Sequence, residues 1–237
     1  HRVPPQKVMR IAGGVDTVRF RPVCDRAALR RSLGLPTDRR VLLTVRNLVP
    51  RMGLENLLAA MVPVCARFPD ALLIIGGSGP LAEPLRMQAR DLGLSAHVRF
   101  AGFIPEDALP GYYAAADLFV LPTRCLEGFG LVTIEAMACG TPVLGTPVGG
   151  TQEILQRFDP ALLFAGTEPD HLADGILRHL RRVCGDEALR TRCRRYVEEH
   201  YSWDVVIDRV EAIFCQVAAQ GRRTAAGPPV SGVEENS

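Results

Sequence analysis

Short continuous apolar runs alternate with longer segments of helical spacing along most of this chain. The runs occupy residues 41–45, 71–76, 98–101, 117–121 and 142–145. A continuous apolar run of this length is typical of a strand buried on both faces, and apolar residues three and four apart are typical of a helix. The repeated order of strand and then helix predicts parallel βαβ units. The expected fold class is therefore α/β, a doubly wound, Rossmann-like parallel sheet.

The helical spacing lies before the first of these runs, between them and after the last. Pro63 falls inside one such segment and is expected to kink that helix. A further short strand is predicted at residues 161–164. The predicted helices span residues 25–33, 54–68, 81–92, 106–116, 169–183, 186–200 and 203–219.

Composition divides the chain into three parts. Residues 1–24 are rich in Pro, Arg and Gly and are predicted to be a linker, whereas residues 25–220 form one domain. From residue 221 the composition turns to Gly, Pro, Ser and Glu, so residues 221–237 are expected to be a disordered tail. The 237 residues suffice for a large core that needs no disulfide. Because the chain begins at His1 and not at a methionine, we expect it to be a fragment.

Charge and cysteine content argue against several classes of protein. The net charge is +2 and no block of like charges occurs, so no nucleic-acid partner is predicted. The seven cysteines form no C-x-x-C pair, which indicates reduced thiols and a cytoplasmic location. No apolar run reaches the roughly 18 to 20 residues of a membrane span. The histidines lack metal-ligand spacing and no D-x-D pair occurs, so neither a metal nor another cofactor is expected.

The turns that follow the predicted strands converge on one edge of the sheet. In open parallel sheets, ligands bind beyond the carboxyl ends of the strands. The candidate turns are residues 46–53, 76–80, 102–105, 123–130 and 146–150. Their positions predict one shared ligand site at that edge.

One glycine-rich turn joins a predicted strand to an apolar helix, with two carboxylates close by. Gly128, Phe129 and Gly130 allow backbone N–H groups at the helix start to approach an anion, which suits a phosphate. Glu135 lies among apolar residues of the helix, where an unpaired carboxylate is costly to bury, so we expect it to face a polar ligand. The alternative is that Glu127 is a solvated loop charge and Glu135 a charge on the helix surface.

Three other turns offer groups to the same ligand. Arg46 and Arg51, in RNLVPRMG, have guanidinium groups that match phosphate oxygens, although loop arginines are often simply solvated. Gly77, in GGSGPLA, belongs to a degenerate dinucleotide fingerprint, but the next strand ends without an acidic residue, which argues against a nicotinamide cofactor. This glycine serves tight backbone packing or phosphate approach. Phe103 and Ile104, in GFIP, either present backbone groups and an apolar lid to a flat base or form an ordinary turn.

The spacing of the two carboxylates carries a family resemblance. Glu127, seven residues and then Glu135, within EGFGLVTIEAMACGTPV and before GGTQEIL, resemble the Glu-x7-Glu signature of retaining glycosyltransferases of the GT-B fold, glycosyltransferase family 4. The segments RNLVPRMGLENLL, ALLIIGGSGP and VRFAGFIPEDALPGYYAAADLFVLPT resemble further blocks of that family in the same order. The resemblance covers roughly residues 8–219.

The resemblance implies that this chain is the C-terminal half of a GT-B fold, which binds a nucleotide sugar. AGGVD and RFRP, within residues 12–22, resemble the segment joining the two GT-B domains, with Gly13 in place of the usual asparagine. Residues 1–24 would then be an interdomain linker. The acceptor would be held by an N-terminal domain or a separate subunit, and peripheral membrane contact through that part is left open.

The resemblance also implies roles for single residues. Glu135 would bind the ribose hydroxyls, and Glu127 would lie near the donor sugar as a catalytic residue. Phe129, Gly130 and Leu131 would offer backbone N–H groups to the sugar and the diphosphate. Further expected donor-binding residues are Gly128, Gly77, Phe103 and Ile104.

The phosphate-binding residues depart from the family pattern. The family places an arginine and a lysine where this chain has Asn47 and Met52. Arg46 and Arg51 each lie one residue away, and we expect them to supply the missing charge as catalytic groups. The implied reaction is metal-independent sugar transfer from a nucleoside diphosphate with retained anomeric configuration. A binding module that transfers nothing and a sugar-nucleotide epimerase of the same fold are the alternatives.

Overall fold

Five parallel strands form the central sheet of the computed structural model, which describes residue 4 and residues 8–183 and 186–225. The strands are β1 Arg40–Val45, β2 Ala71–Gly76, β3 Val98–Gly102, β4 Leu118–Leu121 and β5 Val143–Gly145. They lie in the order β3-β2-β1-β4-β5. The chain thus adds β2 and β3 on one side of β1, and then β4 and β5 on the other side. Such a reversal opens a crevice at the carboxyl ends of the two central strands, here β1 and β4.

Helices connect the strands and complete the domain within the described residues. They are α1 Arg26–Ser32, α2 Leu54–Arg67, α3 Ala82–Asp91, α4 Leu109–Ala115, α5 Leu131–Ala138, α6 Gly149–Phe158, α7 Pro169–Val183, α8 Glu187–Tyr201 and α9 Trp203–Ala225. Single turns of 3₁₀ helix lie at Pro50–Met52 and Pro160–Leu162.

The strands are buried on both faces because their apolar residues follow one another without interruption. All residues of β2 and β4 are buried, as are residues 41–44 of β1. β1 and β2 pair in register from Arg40 opposite Ala71 to Val45 opposite Gly76. Burying each Leu, Ile or Val of these strands contributes about 1.5–3 kcal/mol to folding. The predicted α/β class with a doubly wound parallel sheet is confirmed.

Most predicted elements agree with the structure, and the exceptions involve proline. The five strands agree with their predicted bounds to within one residue. α2 runs through Pro63, and the kink expected there stays a prediction. α4 begins at Leu109 and not at residue 106, and Pro110 lies in its first turn. A proline is tolerated there because those N–H groups have no partner within the helix.

The strand predicted at residues 161–164 is wrong. Pro160 begins a 3₁₀ turn, and the Asp159 side chain accepts a hydrogen bond from the Ala161 N–H at 3.2 Å. The cap and the fixed φ of proline favour a turn over an extended strand. Leu163 still forms an isolated parallel bridge with Gly145, so this segment adds a single pairing at the edge of β5.

A buried charge cluster ties α1 to the amino-terminal ends of β1 and β4. Arg26 and Arg30 of α1 donate to the two carboxylate oxygens of Asp117 at 2.7 and 2.8 Å. The Val41 N–H donates to the same carboxylate at 2.8 Å. Burial by itself raises the pKa of Asp117, but Arg30, the Val41 amide and Arg26 together hold it below its usual value. The cluster therefore stabilises the fold while Asp117 is ionised.

The predicted linker contacts the domain, and the first residues of the predicted tail continue its last helix. The Val15 N–H donates to the Tyr201 carbonyl at 2.8 Å, and Phe20 is buried. Residues 15–20 therefore pack on the domain. α9 continues to Ala225, so the tail predicted from residue 221 begins inside a helix. The remaining predicted tail, residues 226–237, lies outside the described residues, as do linker residues 1–3 and 5–7.

Candidate functional site

The candidate donor site lies in the crevice beyond β1, between the loops after β1, β2 and β3. It is a cavity of about 420 Å³. Four residues predicted from the sequence line it, namely Arg46, Gly77, Phe103 and Ile104. Ile104 is buried, whereas Phe103 is 73% exposed and lies at the rim. Of the five turns predicted to share one site, those after β1, β2 and β3 line this cavity, whereas residues 123–130 and 146–150 do not.

Gly77 allows the loops after β1 and β2 to touch through their backbones. Its φ is +121°, and a Cβ at this position would lie 1.8 Å from the Arg46 carbonyl oxygen. The Gly77 N–H donates to the Gly102 carbonyl at 2.7 Å, and the Arg46 N–H donates to the Gly76 carbonyl at 3.0 Å. Only glycine fits this close approach. Of the two roles predicted for Gly77, tight backbone packing is the one that the structure displays.

A buried ion pair links the loop after β1 to the turn before α5. The Arg46 Nη2 donates to the Glu127 carboxylate and, at 2.7 Å, to the Thr123 hydroxyl. Thr123 in turn donates to Glu127 at 3.0 Å. The side chains of Arg46 and Glu127 are only 5% and 10% exposed. The alternative that Glu127 is a solvated loop charge is therefore wrong.

Arg46 also has a buried donor that its ion pair with Glu127 does not use. Its Nε is buried and has no hydrogen-bond acceptor within the described part of the chain. A buried donor without an acceptor costs about 1–3 kcal/mol, so such a group is a signal for a ligand that is not present in the structure. Arg46 also lines the cavity wall. The position suits an anionic oxygen of a ligand.

Glu135 lies half-buried on α5, next to a buried phenol. Its Oε2 accepts a hydrogen bond from the Tyr113 hydroxyl at 2.9 Å, and Tyr113 is fully buried. Burial raises the pKa of Glu135, while the Tyr113 hydrogen bond and the nearby Arg19 charge oppose that rise. The nearby carboxylate of Glu106, which lines the cavity, raises it further. Glu135 is therefore not an ordinary charge on a helix surface, and the alternative prediction for it is wrong.

The glycine turn before α5 packs against the start of α6. The Gly150 N–H donates to the Gly128 carbonyl at 2.8 Å, and a Cβ on Gly150 would lie 2.0 Å from the Phe129 carbonyl. Gly130 has φ +84° and caps α5 at its amino-terminal end. The first N–H groups of α5, including that of the half-exposed Leu131, have no partner within the helix. Their predicted contact with the sugar and the diphosphate stays a prediction.

Phe129 lies away from the main cavity. Its ring is 5.9 Å from the Tyr201 ring, and a Cβ on Gly13 would lie 3.0 Å from it. Phe129 lines a second cavity of about 180 Å³ together with Ala12 and Tyr201. The structure thus brings the Phe129 side chain to the predicted linker, and its backbone remains at the turn before α5.

Arg51 is separated from Arg46, contrary to the expectation that both serve one phosphate site. It lies in the 3₁₀ turn after β1 and donates from Nη1 to the Leu126 carbonyl at 2.9 Å. It lines a third cavity of about 530 Å³, which does not include Arg46. Uncharged residues, Asn47 and Met52, line the main cavity on this side. A single 3₁₀ turn thus directs Met52 and Arg51 to different cavities.

Sequence reasoning missed Tyr113 and Thr123 as partners of the two carboxylates. Thr123 opens a turn that the pattern does identify, so its proximity to Glu127 had a local signal. Tyr113 is 22 residues from Glu135 and gives no such signal. Among the described residues, no three His, Cys, Asp or Glu side chains come together as metal ligands. None of the helices described is both long and apolar enough to cross a membrane.

The fold and the site together define a class of protein. A doubly wound parallel sheet with a ligand cavity at the reversal of strand order is a Rossmann-like domain, of the kind that forms each half of a GT-B glycosyltransferase. More particularly, the chain belongs to the family Glycosyl transferases group 1, whose family model matches residues 25–200. The predicted family resemblance and the predicted fold are confirmed.

Relatives of this chain are considerably longer. A GDP-mannose-dependent alpha-(1-6)-phosphatidylinositol monomannoside mannosyltransferase of Mycobacterium tuberculosis is 35% identical over 86% of this chain and 54% of its own length. A D-inositol 3-phosphate glycosyltransferase of Acidothermus cellulolyticus is 36% identical over 94% of this chain and 50% of its own. The solved structure of sucrose-phosphate synthase from Thermosynechococcus elongatus is 33% identical, with a TM-score of 0.76, over 89% of this chain and 52% of its own. The chain thus spans about half the length of the relatives it matches.

Proposed function

We propose that this chain is the donor-binding half of a retaining, metal-independent glycosyltransferase. The donor is a nucleoside diphosphate sugar held in the cavity beyond β1. The observation that carries this proposal is Arg46, whose side chain lines that cavity and has a buried Nε without an acceptor, close to the turn that carries Glu127. The free thiols among the described cysteines support a cytoplasmic location.

Glu135 is the proposed ribose-binding residue. Tyr113 occupies Oε2, and among the described residues no donor reaches Oε1, so that oxygen is available to ribose hydroxyls. The fixed phenol orients the carboxylate before the ligand arrives, which reduces the ordering cost of binding. The apolar surface of Ile104 and the exposed ring of Phe103 suit a flat base on the side of β3.

Arg46 and the start of α5 are the proposed diphosphate-binding groups. The leaving diphosphate gains negative charge as the glycosidic bond breaks, so donors already in place stabilise the transition state more than the ground state. The backbone N–H groups at Gly130 and Leu131 supply neutral donors at a helix amino terminus. The carboxylate of Glu127, held by Arg46 and Thr123, is proposed to lie near the donor sugar.

The acceptor is proposed to bind mainly to a second half, either an N-terminal domain or a separate subunit. The names of two relatives given above include phosphatidylinositol monomannoside and inositol 3-phosphate. We therefore propose a polyol that carries a phosphate as the acceptor class. Contact with a membrane surface through the second half is compatible with a lipid-linked acceptor of this class.

A non-catalytic binding module is the second candidate function. One observation favours it, because Asn47 and Met52 present no charge where the main cavity would meet a diphosphate. Arg46 would then supply the single side-chain cation, and it is already paired with Glu127. A chain of this kind would bind a nucleotide sugar without transferring the sugar.

Calorimetric titration of the chain with UDP, GDP and ADP tests the donor site. We expect one nucleotide to bind with about 4 to 8 kcal/mol, which corresponds to millimolar to micromolar affinity. Glu135→Gln should abolish most of this affinity, whereas Glu83→Gln, a control carboxylate exposed on α3, should not change it. Absence of binding by all three nucleotides, or equal binding by Glu135→Gln, contradicts the proposal.

Sugar transfer separates the two candidate functions. The chain is combined with the amino-terminal half of a relative, and transfer to a polyol phosphate is followed by NMR of the anomeric proton. Transfer with retained configuration supports the enzyme, whereas inversion contradicts the proposed mechanism. Tight nucleotide binding with no transfer favours the binding module.

A further inference from the structure

A third cavity lies on the same edge of the sheet as the donor cavity and is not explained by nucleotide binding. Its volume is about 530 Å³. Two arginines, Arg51 and Arg124, face it together with Thr167 and Glu168. Thr167 lies just before α7, and its carbonyl accepts from Asn56 of α2 at 2.8 Å. Three segments that are far apart in sequence therefore form this cavity.

The two arginines are fixed beside each other by the backbone. The Arg124 N–H donates to the Arg51 carbonyl at 2.9 Å. A Cβ on Gly53, which has φ +70°, would lie 2.0 Å from the Pro122 carbonyl and 3.1 Å from the Arg124 side chain. A glycine at this position is what allows the two loops to approach. The two arginines are thus neighbours because the fold brings their backbones together.

The charge at this cavity is not balanced. Within the described residues, neither Arg51 nor Arg124 forms an ion pair, although many other arginines of the domain do. One of the five N–H donors of Arg51 is used, by the Leu126 carbonyl. Glu168 is the one carboxylate that lines the cavity. Two arginines and one glutamate favour a ligand that has both a negative group and hydroxyls. The negative group would bind the arginines, and the hydroxyls would donate to Glu168.

The cavity is close in sequence to the proposed catalytic carboxylate. Leu126, which accepts from Arg51, directly precedes Glu127 and adopts φ +58°, a left-handed conformation that is uncommon for leucine. Backbone strain of this kind is found most often at functional sites. A ligand on Arg51 and Arg124 would therefore lie beside the turn that carries Glu127.

We propose that Arg51 and Arg124 bind the phosphate group of the acceptor, a phosphorylated polyol. This inference rests on the proposed function, because it places the acceptor that the transfer requires. The guanidinium groups bind the phosphate oxygens through paired charge-assisted hydrogen bonds, and Glu168 and Thr167 bind polyol hydroxyls. Part of the acceptor site then belongs to this half of the enzyme, and the polyol is directed towards the donor sugar.

The test is titration of the chain with three probes: inositol 3-phosphate, unphosphorylated inositol and inorganic phosphate. Arg51→Gln, Arg124→Gln and the double variant replace each charged guanidinium with a neutral amide that still donates hydrogen bonds. The Arg124 side chain makes no hydrogen bond within the described residues, so its variant is expected to fold normally. Arg90→Gln is the matched control, since Arg90 lines a different cavity on α3. Thermal unfolding confirms that each variant is folded.

We expect inositol 3-phosphate to bind more tightly than either inositol or inorganic phosphate. Each single variant should weaken its binding about tenfold, and the double variant should abolish it. Arg90→Gln should bind as the wild type does. Binding should weaken with added salt, because both contacts are ionic and near solvent.

Three results would overturn the inference. The first is no binding of inositol 3-phosphate to the wild type, and the second is unchanged binding to the double variant. The third is competition between inositol 3-phosphate and the nucleotide, which would place the phosphate in the donor cavity. Nucleotide affinity is measured in the same variants. It should be unchanged, because the proposed donor site depends on Glu135 and not on Arg51 or Arg124, so failure of the acceptor site can be distinguished from failure of the donor site.

Discussion

Replacing Glu127 with glutamine removes the charge that balances a nearly buried guanidinium. Arg46 and Glu127 are 5% and 10% exposed in their side chains, and Thr123 is the other acceptor for the same Nη2. Glutamine keeps the size and one acceptor oxygen, so the variant tests the charge and not the packing. We expect Glu127→Gln to destabilise the domain while leaving the sheet intact.

The magnitude follows from the burial of the pair. Removing one partner of a buried ion pair costs about 3–5 kcal/mol, because the other charge remains without compensation. The value here should be near the lower end, about 3 kcal/mol, since water can enter from the adjoining donor cavity. For a domain of this size, each kcal/mol lowers Tm by about 2–4 °C, so Tm should fall by about 6–12 °C.

Unfolding by urea, followed by circular dichroism, measures this change directly. The double variant Arg46→Met/Glu127→Gln should recover part of the lost stability, because no unpaired charge then remains buried. Glu153→Gln is the control: because its pairing with Arg10 is exposed to solvent, this variant should unfold as the wild type does. The reasoning is refuted if Glu127→Gln costs less than about 1 kcal/mol, or if the double variant is no more stable than the single one.

Three further predictions concern Asp117, Glu135 and Gly77. Asp117→Asn should cost about 3 kcal/mol in urea unfolding at pH 7, because its buried arginine partners lose their counter-charge. The lowered pKa of Asp117 means that this contribution is present above the usual pKa of 3.8 and is lost as pH falls through the folded value. Nucleotide affinity, measured by calorimetry, should weaken as pH decreases, because the ionised form of Glu135 accepts the ribose hydroxyls. This loss should begin at a higher pH than for an ordinary glutamate, since the pKa of Glu135 is raised. Tyr113→Phe should move that onset higher still, since the phenol stabilises the ionised carboxylate. Gly77→Ala should lower the free energy of unfolding by about 3 kcal/mol, because the new Cβ would meet a backbone oxygen, whereas Gly128→Ala has open space and should change it by about 0.5 kcal/mol or less.

Each of these predictions has a contradicting result. A constant stability difference between wild type and Asp117→Asn from pH 7 to pH 2 would show that its charge is not the source. An affinity for nucleotide that does not depend on pH would remove ionised Glu135 from the ribose contact. Equal stability of Gly77→Ala and Gly128→Ala would mean that the loops after β1 and β2 can move apart without cost.

The sequence determined the sheet and the location of the site because both depend on local pattern. Continuous apolar runs specify buried strands, and the turns that follow parallel strands necessarily lie at one edge. The pattern was wrong at residues 161–164, where Pro160 and the Asp159 cap impose a turn on an apolar segment. The bounds of α4 likewise depend on Pro110, which can occupy only the first turn of the helix.

Only the tertiary structure decided which charges meet. Arg46 and Glu127 are 81 residues apart, and their pairing requires that β1 lie beside β4, which apolar periodicity does not specify. The same periodicity could not separate Arg46 from Arg51, because the 3₁₀ turn that contains Arg51 directs it towards Arg124 and a different cavity. Local pattern fixes the face that a residue occupies, whereas strand order and loop contacts fix its neighbours. The chemistry of a site depends on those neighbours.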